Sequence, residues 1–84
     1  MLHDIVEVRP LDGYRLHLRF DDGVEGAVDV SSRVPFDGVF EPLRDPSFFR
    51  RVRVNSELGT VVWPNGADLD PFVLYCLVSG TPLP

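Results

Sequence analysis

The stretch YRLHLRF, Tyr14 to Phe20, alternates cleanly: Tyr14, Leu16, Leu18 and Phe20 share one side, and Arg15, His17 and Arg19 share the other. Successive side chains of a strand point to opposite faces, so this is the pattern of a strand with one face buried. The flanking segments repeat it. In DIVEVRP (4–10) Val6 and Val8 are expected to face inward and Glu7 and Arg9 outward. In VEGAVDV (24–30) Val24, Val28 and Val30 are expected inward, Glu25 and Asp29 outward. The joints Asp12-Gly13 and Asp21-Asp22-Gly23 place glycine where tight hairpins need a positive φ. A three-strand antiparallel meander follows.

Downstream, SSRVPFDGVFEPLRDPSFF (31–49) is broken by Pro35, Gly38, Pro42 and Pro46 and reads as a loop with one or two short helical turns. Asp45-Pro46 has the chemistry of a helix cap and first position. RVRVN (51–55) and GTVVWP (59–64) then form a second hairpin around Ser56–Gly59, ending by Trp63 because Pro64 has no N–H for a ladder. Asn65-Gly66 is a turn pair, and Asp70-Pro71 starts a helix that Gly80 stops, with Pro82 beyond it. The expected fold is α+β, one domain over residues 1–84. It has about five antiparallel strands, short central helical turns, and a C-terminal helix packed on one sheet face.

Composition narrows the function. A chain of 84 residues buries only about 60–65% of its unfolded surface. The formal charge of −5 opposes a general phosphate-backbone binder, so nucleic acid is not expected as a partner. The lone Cys76 leaves no internal disulfide and no multi-cysteine zinc site. No basic region precedes an apolar N-terminal segment, and the longest apolar run, Phe72 to Val78, is far short of a bilayer span. These features together predict a cytoplasmic protein with no membrane association.

The cluster Trp63, Asn65, Asp68 and Asp70 admits two readings: a small acidic pocket with an aromatic wall for a ligand or metal, or a turn followed by a helix cap. His3 and His17 are the two histidines, and His17 lies between two arginines on a strand face, a poor place for a cation. Cys76 sits in an apolar run where a thiol is packing, and no nucleophile or phosphate-loop motif occurs. No enzyme, no cofactor and no catalytic or metal-ligating residue is expected. Arg15, Arg19, Arg51 and Arg53 would make a basic patch able to bind nucleic acid or an acidic protein if both hairpins shared a sheet, but Glu7, Glu25 and Asp29 on that face favour cross-strand ion pairs.

The segment Phe72 to Val78 is apolar all the way round a helix. One small sheet covers one side, and apolar surface left over commonly marks an interface. Phe72, Tyr75, Cys76 and Val78 are the candidate contact residues, for a homodimer or a small protein partner.

FDDGVEGAVDV (20–30), GVFEPLRDPSFFRRVRV (38–54) and GTVVWPNGADLDPFVLY (59–75) together resemble the small bacterial family catalogued as domain of unknown function 2442. The specific part is W-P-N-G-A-D-x-x-P-x-x-L-Y, matched at Trp63, Pro64, Asn65, Gly66, Ala67, Asp68, Pro71, Leu74 and Tyr75. The resemblance implies an α+β domain with no established activity, cofactor or catalytic residue. It also implies likeness to components of proposed toxin–antitoxin pairs, some of which carry a C-terminal helix-turn-helix. These 84 residues leave no room for one, so direct DNA binding is not expected.

Overall fold

The inward face of YRLHLRF sets the core. In the computed structural model, which describes residues 3–80, β1 (Ile5–Leu11), β2 (Arg15–Phe20) and β3 (Glu25–Asp29) form an antiparallel sheet in the order β1-β2-β3. Leu16, Leu18 and Phe20 are fully buried in its centre. Two 3-10 turns follow, Val30–Ser32 and Gly38–Arg44, and then the short helix α1 (Pro46–Phe49). Strands β4 (Arg53–Asn55) and β5 (Thr60–Val62) pair as a separate antiparallel ladder, and α2 (Pro71–Ser79) closes the described chain. The architecture is α+β, with the expected five strands divided three and two. Ile5 N–H donates to the Gly59 carbonyl at 2.9 Å, which joins the second ladder to the start of β1.

That junction goes with a departure from simple alternation. Ile5 pairs with Phe20 and Glu7 with Arg19, so Val6 is the extra residue of a bulge. The slip turns Ile5 into the core at 1% exposure and Val6 out to 44%, correcting the expectation that Val6 faces inward. Val8 and Pro10 still lie opposite Leu18 and Leu16. Pro10 is tolerated because β1 is an edge strand of the meander.

The first hairpin joint is also tighter than alternation implies. Gly13 and Tyr14 both have positive φ, 74° and 61°, so Tyr14 belongs to the turn rather than to β2. A tyrosine there is strained. Its hydroxyl donates to the Arg44 carbonyl and its ring meets Phe36 and Phe49 edge-on, at 5.2 and 5.4 Å, which holds the conformation from outside.

Both helix starts are built as their sequence chemistry indicates. Asp45 accepts from the Ser47 N–H, and Asp70 from the Phe72 N–H, with Pro46 and Pro71 next in line. Gly80 ends α2 in the left-handed conformation, φ 77°, and its N–H donates to the Cys76 carbonyl. Pro82 lies outside the described residues. A single contiguous cluster joins the meander, α1, the second hairpin and α2, with Trp63, Phe49, Phe20 and Leu43 among its most buried members.

Candidate functional site

The Trp63–Asp70 loop is built as turn and cap. Trp63 is 1% exposed, and its indole N–H donates to the Phe49 carbonyl at 2.9 Å. Its backbone N–H donates to the Ala67 carbonyl, and the Gly66 N–H donates to the Trp63 carbonyl, closing the turn. Asn65 braces it twice: Oδ1 accepts from Ala67 N–H, and Nδ2 reaches across to the Val39 carbonyl at 2.8 Å. Asp68 is exposed and its backbone bridges Val62, while Asp70 caps α2. Among the described residues, these carboxylates do not join a three-donor group suited to a metal.

Helix α2 packs over β3. At the crossing, Gly26 leaves room for Val78; a Cβ at Gly26 would lie 3.0 Å from Val78 Cγ1. Leu74 and Cys76 are buried at 5% and 4%. Of the candidate contact residues, Cys76 is therefore inside and Val78 is occupied by β3. Tyr75 is edge-on to Phe20 and stacked on His3, and Phe72 is half-buried. The open apolar side of the helix belongs instead to Val73 and Leu77. With Val28, Val30, Val34 and Leu69 they line a groove of about 160 Å³ between α2 and β3, whose polar rim is Asp29, Arg33 and Asp70. The sequence signal for this face is Val73 and Leu77, one helical turn apart.

On the outer face of the meander, Arg19 pairs with Glu7 and His17 with Glu25, both at 3.2 Å, as the alternation of charge indicates. The two hairpins do not share a ladder, so the condition for a joint Arg15, Arg19, Arg51 and Arg53 patch is not met.

A second polar cluster joins three remote pieces of chain. His3 Nδ1 lies 3.2 Å from Asp21 Oδ1 and 3.7 Å from Asp22 Oδ2. Tyr75 donates to the same Asp22 oxygen at 2.6 Å. That bond, helped by the Val24 N–H, holds the Asp22 carboxyl below its ordinary value, and the same bond to Asp22 pushes the Tyr75 hydroxyl up. Reading residues one at a time leaves His3 as a solvated histidine; its partners are visible only once β1, the β2–β3 turn and α2 are assembled. Among the described residues, no helix is long and apolar enough to cross a membrane.

A family model described as Protein of unknown function (DUF2442) matches residues 5–78, and the chain belongs to that family. No curated protein and no solved structure matches the chain.

Proposed function

We propose that the domain is a non-enzymatic protein-interaction module that takes an extended segment of a partner protein onto the outer edge of β3, beside α2. The apolar groove between β3 and α2 carries this reading, because it sits at a sheet edge where main-chain groups can pair with an added strand. Val30 N–H bonds to the Tyr14 carbonyl and Phe20 N–H to the Val24 carbonyl. Pairing alternates along an antiparallel ladder, so Glu25, Ala27 and Asp29 turn their backbone groups away from β2. The Asp29 carbonyl is taken by Ser32 Oγ, which leaves Glu25 and Ala27 as the docking positions.

Charge selects the partner. Two copies of β3 paired antiparallel about Ala27 would set Glu25 against the other copy's Asp29 twice, and like charges directly opposite are destabilising. The fitting occupant instead carries arginine or lysine opposite Glu25 and Asp29, a small residue opposite Ala27, and apolar residues between them that point toward Val73 and Leu77. A regulatory, antitoxin-like role in the cytoplasm, exerted on a small partner protein, is the use of such a module that the family resemblance supports.

The test is NMR titration of the full chain with a synthetic peptide whose central residues are Arg-Leu-Ser-Leu-Arg. Saturable shifts at the Glu25 and Ala27 amides, weakened by Leu77→Glu and unaffected by Val39→Glu on an exposed turn, support the reading. Absence of shifts along β3 contradicts it. So does a concentration-dependent dimer in sedimentation whose amide protection maps to β3, since that would make a second copy the occupant.

A further inference from the structure

His3, Asp21 and Asp22 place one imidazole nitrogen and two carboxylate oxygens within 4.8 Å of one another. A zinc-class ion bound at about 2.0–2.2 Å holds neighbouring donors roughly 3.0–3.4 Å apart in octahedral or tetrahedral geometry. The distances of 3.2 and 3.7 Å from His3 Nδ1 to the two carboxylates lie in or close to that range, and the two carboxylate oxygens, within 4.8 Å of each other, would draw together on the ion. We propose that His3, Asp21 and Asp22 bind a first-row divalent cation, with the remaining coordination positions open to water.

The supporting contacts match what a cation needs of its ligands. Asp22 Oδ1 accepts from Val24 N–H at 3.0 Å, and Oδ2 accepts from the Tyr75 hydroxyl at 2.6 Å, so both oxygens are fixed in direction. Asp21 Oδ2 accepts from Asp4 N–H at 3.3 Å, which leaves Oδ1 facing His3. The His3 ring is held flat against Tyr75, with centroids 4.4 Å apart and planes 22° from parallel. Partners of this kind orient ligands and typically change metal affinity by about 10–100-fold. The imidazole favours zinc, cobalt or nickel over magnesium and calcium, which take oxygen alone. Two adjacent carboxylates with a neutral imidazole carry a charge of −2, which a divalent cation cancels. The cluster uses Tyr75, about 200° around α2 from Val73 and Leu77, and so does not depend on the groove.

The experiment is calorimetric titration of zinc chloride into the untagged full-length chain, with visible absorption of the cobalt complex as a second readout. One saturable equivalent is expected. His3→Ala and Asp22→Asn should abolish it, and Tyr75→Phe should weaken it ~10-fold while leaving the stoichiometry unchanged. Circular dichroism of the metal-free variants checks that each is folded; these positions are partly exposed, so the fold is expected to survive. No saturable binding by the intact chain means the cluster is a histidine–carboxylate contact only and overturns the proposal. Binding that persists unchanged in folded His3→Ala overturns it equally.

Discussion

The Tyr75 hydroxyl donates to the Asp22 carboxylate at 2.6 Å, fastening the last helix to the β2–β3 turn across 53 residues of sequence. The bond shifts both partners in opposite directions. Asp22 is lowered from 3.8 by the Tyr75 bond first and the Val24 N–H second; Tyr75 is raised from 10.0 by the Asp22 bond, then by burial and the nearby negative charge. A lowered carboxylate contributes stability that is complete above its unfolded value and is lost as pH falls through its folded one. A raised phenol contributes stability that is complete below its unfolded value and is lost as pH rises through its folded one. Tyr75→Phe should therefore melt below the parent across the neutral range, with the gap closing below pH 3.8 and again above pH 10.0. Melting curves of both proteins over that range decide it. No gap at neutral pH would mean the ring, not the hydroxyl, makes the tie.

Trp63 is both the core's largest fully buried side chain and a hydrogen-bond donor. Its ring lies 5.8 Å from Phe49, whose carbonyl takes the indole proton, so one residue fixes β5 against α1 by packing and by polarity. Trp63→Phe keeps most of the apolar contact and removes the indole donor, leaving the Phe49 carbonyl only the Val52 N–H at 3.4 Å, at a cost of about 1 kcal/mol. Trp63→Ala adds a cavity and should cost about 3–5 kcal/mol, comparable with the whole stability of many small domains. Urea unfolding of the two variants should rank them in that order; a Trp63→Phe loss near zero would show that the hydrogen bond is idle.

Asp68 and Asp70 sit two residues apart with unequal structural duties. Asp70 accepts from the Phe72 N–H at 2.9 Å and caps α2, whereas the Asp68 side chain is exposed. Asp70→Ala should cost about 1 kcal/mol, the usual penalty for losing an N-cap. Asp68→Ala should stay within about 0.5 kcal/mol of the parent, as surface changes do. Chemical denaturation distinguishes the two. A large loss at Asp68 would indicate that the loop's carboxylate has a partner beyond the turn.

What the sequence disclosed follows the range of the interactions involved. Asp45-Pro46, Asp70-Pro71 and Gly80 mark helix ends through contacts within a few residues, and each does so in the fold. The strand Arg15–Phe20 is legible because one side must meet oil and the other water. The bulge at Val6 is not, because IVEV is apolar enough for either register. Its register accompanies Ile5 pairing with Phe20 and bonding to the Gly59 carbonyl, both distant in sequence. The same limit hides the roll of α2. A helix apolar on every side carries no mark of which side faces the sheet, so Phe72, Tyr75, Cys76 and Val78 drew attention while Val73 and Leu77 line the groove. His3 meets Asp21 and Asp22 only through assembly of the tertiary fold.

The roll and height of α2 rest on a small missing side chain, and that gives a test by rescue. Gly26 lies in the inward row of β3 between Val24 and Val28, where only a hydrogen permits Val78 to approach. A Cβ there would stand 3.0 Å from Val78 Cγ1, closer than van der Waals contact, and valine's two further methyls add to the crowding. Gly26→Val should destabilise by about 1–3 kcal/mol through overpacking, despite valine's better strand propensity. Val78→Ala removes the opposing methyls, so Gly26→Val/Val78→Ala should recover part of the loss, a favourable coupling of about 0.5–3 kcal/mol in a double-mutant cycle. Gly23→Ala supplies the contrast: its φ of 90° is strained for alanine but its surroundings are open, so Val78→Ala should not rescue it. Additive losses at Gly26 and Val78 would place the helix contact elsewhere on β3, and the shape of the adjoining groove with it.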